Sequence, residues 1–353
     1  LVKIFGNFTP AGTISGRTRQ PLVLTAPAPK KNKLGSEIQC KIEAPEGYVF
    51  VYADLDSQEQ RTFGLLGDAQ YGEVGATPST YMSLVGDKDK GTDPHTLLAK
   101  SAGISRAQAK NSNYALQFGA GVKKLARMLY AGSKEKTLAE WEKVAKKIIE
   151  SKKGKKSWGN PMLRGGIESD NFNAITLRTQ QEVQREPMLE RAITTALRQP
   201  IVGEDHATSR GNFNIQGCGA SVLHSWLTYI HYFAKRYDIE IESCWSVHDA
   251  VFLCVRRSDE KTAAYIIMHA HKLVYTHLCK QLGFNALPAV LAYPSSVLTS
   301  SVWLKDIDYS TATPTYKGYE GYKKEYKHQD LVKVAIALET RCRLGHYSNT
   351  VKE

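Results

Sequence analysis

The chain has 353 residues, 42% of them hydrophobic and 23% charged, which is the make-up of a globular protein with room for about two domains. Its net charge of +12 points to an anionic partner, with nucleic acid the usual one. No apolar run reaches the roughly 18 residues of a membrane span, and the six cysteines show neither metal-ligand spacing nor a dense disulfide framework, so they read as reduced thiols. The first residue is Leu, and the chain reads as a segment of something longer.

Residues 1–45 are loop-rich and basic, with Thr13, Ser15, Arg17 and Arg19 followed by Pro27-Ala-Pro-Lys-Lys-Asn-Lys33. Such a stretch suits either a phosphate backbone or a solvated linker. An aromatic and β-branched run, Tyr48 to Ala53, then ends at Asp54 and reads as a buried strand. Ser57 reads as the N-cap of a helix carrying Glu59, Phe63 and Leu66 to about Gly67. Alone, Asp54 would be an acid solvated in a turn. Residues 69–92 read as a long Gly- and Ser-rich connection.

From His95 the pattern turns helical. Ser105 can cap a helix through Arg106, Lys110, Tyr114 and Phe118, closed by Gly119-Ala-Gly121. Spaced by four, these side chains form one stripe with about 6 Å of rise per step. Its cationic end suits a polyphosphate and its aromatic end a sugar and a stacked base. No acid lies on the stripe to pair with the cations. Amphipathic helices are expected near 122–130 and 137–150. The run Lys152-Lys-Gly-Lys-Lys156 reads as a solvated loop, and 169–186 as a helix rich in Gln and Glu.

A long helix is expected from Thr208, through Asn212, Gln216 and Leu223, to about Tyr237. Two strands, 239–247 and 250–255, follow, joined at His248-Asp249 as a β-hairpin with an acid at its tip. Residues 259–283 form an amphipathic helix, and the remainder is rich in Tyr and Lys. Phosphoryl transfer needs divalent cations, and those need carboxylates. If the hairpin pairs beside the first strand, Asp54 and Asp249 converge.

Taken together, these residues carry a resemblance. Asp54-Leu-Asp-Ser-Gln-Glu59 resembles the first motif of family A DNA polymerases, Arg106-x3-Lys110-x3-Tyr114-x3-Phe118-Gly119 the fingers-helix motif, and His248-Asp249 the third motif. Within that family the resemblance is to the mitochondrial DNA polymerase gamma branch. It rests on Gly12-Thr-Ile-Ser15, Gly35-Ser-Glu37, Gly91-Thr-Asp-Pro-His95, Gly165-Gly-Ile-Glu-Ser169, Thr208-Ser-Arg-Gly-Asn212 with Gln216, and Leu287-Pro288, and spans about residues 11–310 in the family's order.

The resemblance implies an α+β right-hand polymerase: a palm of antiparallel sheet backed by helices, with a helical fingers insertion. The tail of a thumb and the first part of the palm would be 1–71, the fingers 72–205 and the second part of the palm 206–353. The family's upstream 3′–5′ exonuclease would have no room here. The implied activity is template-directed addition of deoxynucleotides to a primer 3′ end by two-metal transfer. Asp54, Asp249 and the Leu55 carbonyl would hold two Mg²⁺, for which Mn²⁺ may substitute.

By the same resemblance, His95, Arg106 and Lys110 would hold the triphosphate, and Ser57 would approach the nucleotide by its backbone. Glu59 would gate the sugar, Tyr114 would pack on sugar and base, and Phe118 would complete the nucleotide site. Thr13, Arg17, Arg210, Asn212, Gln216 and His248 would contact primer and template. Primer-template DNA and deoxynucleoside triphosphates are the implied partners; the branch leaves room for an accessory processivity subunit, and no membrane is implied. The location would be mitochondrial if the gene is cellular, or host cytoplasm if viral or phage-borne.

Three departures stand out. Ala250 replaces the Glu of the family's third motif, Phe118 replaces a Tyr, and Gly16 replaces an Arg of the gamma branch. A catalytically weakened polymerase-fold scaffold that binds primer-template, and a single-subunit RNA polymerase relative, are the competing readings. A gate acid at Glu59 argues against the latter.

Overall fold

The computed structural model describes residues 9, 11–19, 36–247, 249–304, 312–313 and 316–340. His248, Cys342 and the basic segment 27–33 therefore lie outside the described residues. In chain order the elements begin with strand β1 (Tyr48–Asp54) and helices α1 (Gln58–Asp68), α2 (Pro78–Val85), α3 (Pro94–Ala102), α4 (Arg106–Gln117), α5 (Val122–Gly132) and α6 (Leu138–Lys153). A two-stranded ladder, β2 (Lys155–Lys156) and β3 (Leu163–Arg164), precedes α7 (Ser169–Thr179), α8 (Gln199–Val202) and α9 (Ala207–Asn212). Helix α10 (Cys218–Arg236), strands β4 (Ile241–Val247) and β5 (Ala250–Arg256), helices α11 (Glu260–Gln281) and α12 (Ala289–Ala292), and strands β6 (Val297–Ser300) and β7 (Lys323–Tyr326) follow.

Two compact units divide the chain. One comprises residues 1–56, 220–275 and 291–353; the other comprises 57–219 and 276–290.

The first unit is built on a five-stranded antiparallel sheet of order β4-β5-β1-β6-β7. β1 lies at its centre and is buried on both faces, from Val49 to Ala53. That explains why it reads as an unbroken apolar run rather than an alternating one. Phe50 and Tyr52 join Phe252, Cys254, Leu298 and Trp303 in one apolar cluster. Helices α10 and α11 meet where Trp226 Nε1 donates to the Ile267 carbonyl at 2.8 Å. The predicted hairpin is present, one strand on each side of residues 248–249.

The second unit is helical. Phe63, Leu116, Leu125, Ala126, Leu129, Trp141, Ala145, Ile148 and Phe172 form its core. The 69–92 connection contains α2, a helix the sequence reading missed. It is ordered from the end of α1, where buried Asp68 accepts bonds from Gly75 N at 2.7 Å, Thr77 N at 2.8 Å and Thr77 Oγ1 at 2.7 Å. The helix expected over 169–186 stops at Thr179. Buried Glu186 instead gathers the amides of Met188, Leu189 and Arg191 into a loop. The helix expected from Thr208 is interrupted by one π turn over Phe213–Gly217.

The basic run at 152–156 is only partly a solvated loop. Lys155 and Lys156 are exposed, but Lys152 is buried and pairs with Glu168 at 2.7 Å. Between β2 and β3, Trp158 projects fully into solvent. Every cysteine described is a free thiol.

Trp141 is 2% exposed at the centre of the helical core. Trp141→Ala removes the largest side chain there and is expected to cost about 3–5 kcal/mol. The check is a lower urea midpoint with an unchanged m-value for this unit's transition.

Candidate active site

In the sheet unit, the β1–β5 register sets Asp54 opposite Ala250, and the Leu55 amide donates to the Asp249 carbonyl at 3.2 Å. The apolar run that fills the sheet ends there, so the acids sit where the strand pair stops. The side chains of Asp54 and Asp249 are within hydrogen-bonding reach of each other. Burial, and then the Asp54 charge, push the Asp249 carboxyl up to about 7, with the Arg17 guanidinium pulling the other way. Two like charges so placed share a proton unless a cation separates them. Two adjacent carboxylates are an all-oxygen donor set, which fits a hard divalent ion such as Mg²⁺. Ala250 contributes a buried methyl where a third acid would stand, and no cluster of three or more His, Cys, Asp or Glu suited to a metal occurs among the described residues.

Arg17, whose charge reaches Asp249, lies in a turn closed by its own amide donating to Thr13 Oγ1 at 2.9 Å. Thr13 and Arg17 therefore belong to one local structure. Gly16 between them has φ +85°, a left-handed conformation that favours glycine.

In the helical unit, Ser57 occupies the N-cap position of α1 but does not cap it through its side chain. It stands in the left-handed region at φ +47° and makes no side-chain cap bond. Glu59 lies in the first turn of α1, half-buried. The expected cap of α4 is present as a full capping box. Gln108 N donates to Ser105 Oγ at 3.2 Å, and Ser105 N donates to Gln108 Oε1 at 3.0 Å.

Along α4, Arg106 is half-buried, Lys110 exposed and Tyr114 half-buried. The stripe carries no acid of its own, yet Arg106 is paired: its Nη2 donates to Asp93 Oδ1 at 2.9 Å. Asp93 also caps α3, accepting from His95 N at 3.1 Å and Thr96 N at 3.4 Å. Burial raises the Asp93 carboxyl, but bonds from Arg106 and Thr96 and the Arg106 charge outweigh it and hold it at about 2. Lys110 makes no ion pair among the described residues.

The His95 ring lies 6.0 Å from that of Tyr114, tilted by 45°. Burial lowers the His95 imidazole to about 4; Asp93 opposes this, while Arg106, Lys110 and Lys152 add to it. His95, Arg106, Lys110 and Tyr114 thus share one patch, a cationic cradle with an aromatic edge. Phe118 ends α4 and packs against the unit's apolar core. Asp93 lies in the Gly91-Thr-Asp-Pro-His95 stretch, but the sequence reading gave it no part in holding Arg106. Its signal was present in Asp93-Pro94, an N-cap followed by proline in the first turn.

The remaining expected contact residues lie around the π turn. Arg210 is largely committed within the protein, with its guanidinium bonded to the Thr179 carbonyl and 3.4 Å from Asp205 Oδ1. Asn212 precedes the π turn, and Gln216 lies within it, half-buried. π turns recur at functional positions because the extra residue re-aims side chains.

No protein-family model matches the chain. In fold it resembles the POL domain of Pol1 from M. smegmatis, solved in complex with DNA primer-template and dNTP. The TM-score is 0.53 at 15% identity, over 84% of this chain and 47% of that one. The architecture is therefore that of a polymerase domain, α+β with an antiparallel sheet and surrounding helices.

Among curated proteins the chain is 34% identical over 321 residues to DNA polymerase gamma of Saccharomyces cerevisiae, covering 90% of this chain and 26% of that protein. It is 36% identical over 320 residues to DNA polymerase gamma of Schizosaccharomyces pombe, covering 87% and 31%. With DNA polymerase subunit gamma-1 of Gallus gallus it shares 29% over 367 residues, covering 90% and 56%. The chain belongs to the DNA polymerase gamma family, and spans about a quarter to a third of the two yeast relatives.

The folded chain holds the Asp249 proton more tightly than an unfolded chain, whose carboxyl titrates near 3.8. Raising the pH from about 4 to about 7 therefore removes folding stability. Without metal, Asp249→Asn is expected to melt higher than wild type at pH 8, with the difference fading as the pH falls to 4. Equal melting temperatures across that range would show that the carboxylate pair stores no repulsion.

Proposed function

We propose that this chain is the polymerase portion of a gamma-type DNA polymerase, extending a primer 3′ end on a DNA template with deoxynucleoside triphosphates. The observation that carries this reading is the Asp54–Asp249 pair at the end of β1 and β5, in a member of this family. We assign palm to 1–71, with the tail of a thumb, and to 206–353, and fingers to 72–205. Relatives named as mitochondrial, from Neurospora crassa and Drosophila melanogaster, support a mitochondrial location. An accessory processivity subunit is a further proposed partner.

Asp54, Asp249 and the Leu55 carbonyl would hold the divalent ions. When bound, two Mg²⁺ acidify the primer 3′-hydroxyl and neutralise charge gathering on the leaving pyrophosphate. The chain's own residues do the positioning. Lys110 and Arg106 offset triphosphate charge, with Arg106 held rigid by Asp93. His95 donates to a phosphate oxygen. Tyr114 packs on the sugar and base, Phe118 backs it, and Glu59 lies beneath the sugar, with Ser57 presenting its backbone. Thr13, Arg17, Arg210, Asn212, Gln216 and His248 are assigned to primer and template.

A second reading, a scaffold that binds primer-template without extending it, is favoured by Ala250. Primer extension with Mg²⁺ separates the two. The polymerase reading expects wild type to extend, and Asp54→Ala or Asp249→Ala to lose the rate by several orders of magnitude while keeping DNA affinity. A variant retaining more than about a tenth of the rate would remove the two-metal assignment.

Nucleotide choice tests Glu59 and Tyr114. A 2′-hydroxyl would collide with Glu59 and take one of its hydrogen bonds, so Glu59→Ala should raise ribonucleotide use relative to deoxyribonucleotide use. Tyr114 bears on the 3′ position: wild type should be terminated by dideoxynucleotides, and Tyr114→Phe should resist them. Single-nucleotide incorporation on one primer-template reads both ratios, and an unchanged ratio in either variant removes that residue's assignment.

A further inference from the structure

Behind the cationic cradle runs a buried polar chain. Asn113, 1% exposed on α4, has its Nδ2 2.8 Å from His95 Nδ1. Its Oδ1 lies 2.5 Å from the Nζ of Lys152, 39 residues away at the end of α6. Lys152 is 6% exposed and paired with Glu168 at 2.7 Å. Glu168, 2% exposed, also accepts from Ser79 Oγ at 3.2 Å.

The chemistry of these groups allows one arrangement. An ammonium group has donors only, so the Asn113 atom facing Lys152 must be the carbonyl oxygen. The Asn113 amide cannot then flip, and its NH₂ must face His95 Nδ1. That nitrogen must accept, so the imidazole carries its proton on Nε2. Nε2 has no hydrogen-bond partner among the described residues. A protonated ring would set two N–H groups against each other.

We propose that Lys152, acting through Asn113, is a positioning residue that locks His95 as a neutral imidazole with its proton on Nε2, a fixed donor to the phosphates of the incoming nucleotide. This rests on the assignment of His95 to the triphosphate above. A neutral donor adds no charge to a cradle that already holds Arg106 and Lys110, and it stays a donor at every pH where the enzyme works. The ionisable groups facing His95 are Asp93, Arg106, Lys110 and Lys152, with Glu168 behind. The ring's burial, joined by the Arg106, Lys110 and Lys152 charges and opposed by Asp93, holds it neutral down to about pH 4.

Two measurements test this. The first is ¹⁵N NMR of the histidine-labelled protein, with His95 assigned through His95→Ala. Wild type should show the proton on Nε2 at pH 7 and no protonation above about pH 4.5, and Asn113→Asp, which offers oxygen to both neighbours, should move a proton onto Nδ1 and raise the titration. A proton on Nδ1 in wild type, or titration near 6.5, overturns the proposal.

The second is nucleotide kinetics. Asn113→Leu, and Lys152→Met combined with Glu168→Gln so that no acid is left buried and unpaired, should raise the nucleotide KM about tenfold, with kcat and primer-template affinity within about twofold. In a His95→Ala background the same changes should add nothing. Additive effects there overturn the proposal, because they would show the chain acting on the fold rather than through His95. A wild-type chain that neither binds nor uses nucleotides overturns the polymerase reading as well, whereas missing kinetic effects in an active enzyme overturn this inference alone.

Discussion

Two carboxylates held in contact at the end of a buried strand pair are an arrangement that folding alone would avoid. The β1–β5 register forces it: each apolar pair from Val49–Val255 to Ala53–Val251 fills the sheet, and the next sets Asp54 opposite Ala250, the neighbour of the hairpin acid Asp249. A slip in register would break up the packing of side chains buried on both faces of β1, so the strands cannot slide to relieve the repulsion. The hydrophobic effect thus supplies the force that keeps two like charges adjacent, and only a proton or a cation can make that neighbourhood favourable.

The helical unit uses its acids in the opposite way. Asp68, Asp93, Glu168 and Glu186 are all buried, and each gathers amides, hydroxyls or a cation from a loop or helix start. Carboxylates employed as internal clamps leave the surface. Exposed lysines remain on the surface, among them Lys110, which makes no ion pair among the described residues, Lys156, and Lys155, which pairs with Glu150 at 3.4 Å.

How much of this was legible depended on sequence distance. β1, the hairpin and the α4 stripe were readable because their signals are local: an apolar run that stops at an acid, two runs with a two-residue break, cations and aromatics at i, i+4. Helix α2 was hidden, since it spans only eight residues inside a Gly- and Ser-rich stretch and its order comes from Asp68 outside it. The burial of Lys152 was equally invisible. Its partners are Glu168 and Asn113, and nothing in a run of four lysines marks which one turns inward. Ser57 was read as a capping side chain because the residue type suits a cap, whereas its backbone takes a left-handed turn. The Asp54–Asp249 meeting required knowing that the hairpin pairs beside β1, which residue spacing left conditional and the register fixes.

Trp158, at the tip of the β2–β3 ladder, has an optical consequence. Trp141 lies in the helical core and Trp226 and Trp303 in the sheet unit, all at most 2% exposed, while Trp158 stands wholly in water. Among the described indoles it is the one a collisional quencher such as iodide can reach, and its emission should lie well to the red of the buried three. Trp158 is therefore a fluorescent reporter on a lysine-flanked tip, spectrally distinct from Trp141, Trp226 and Trp303, which follow the integrity of the two cores.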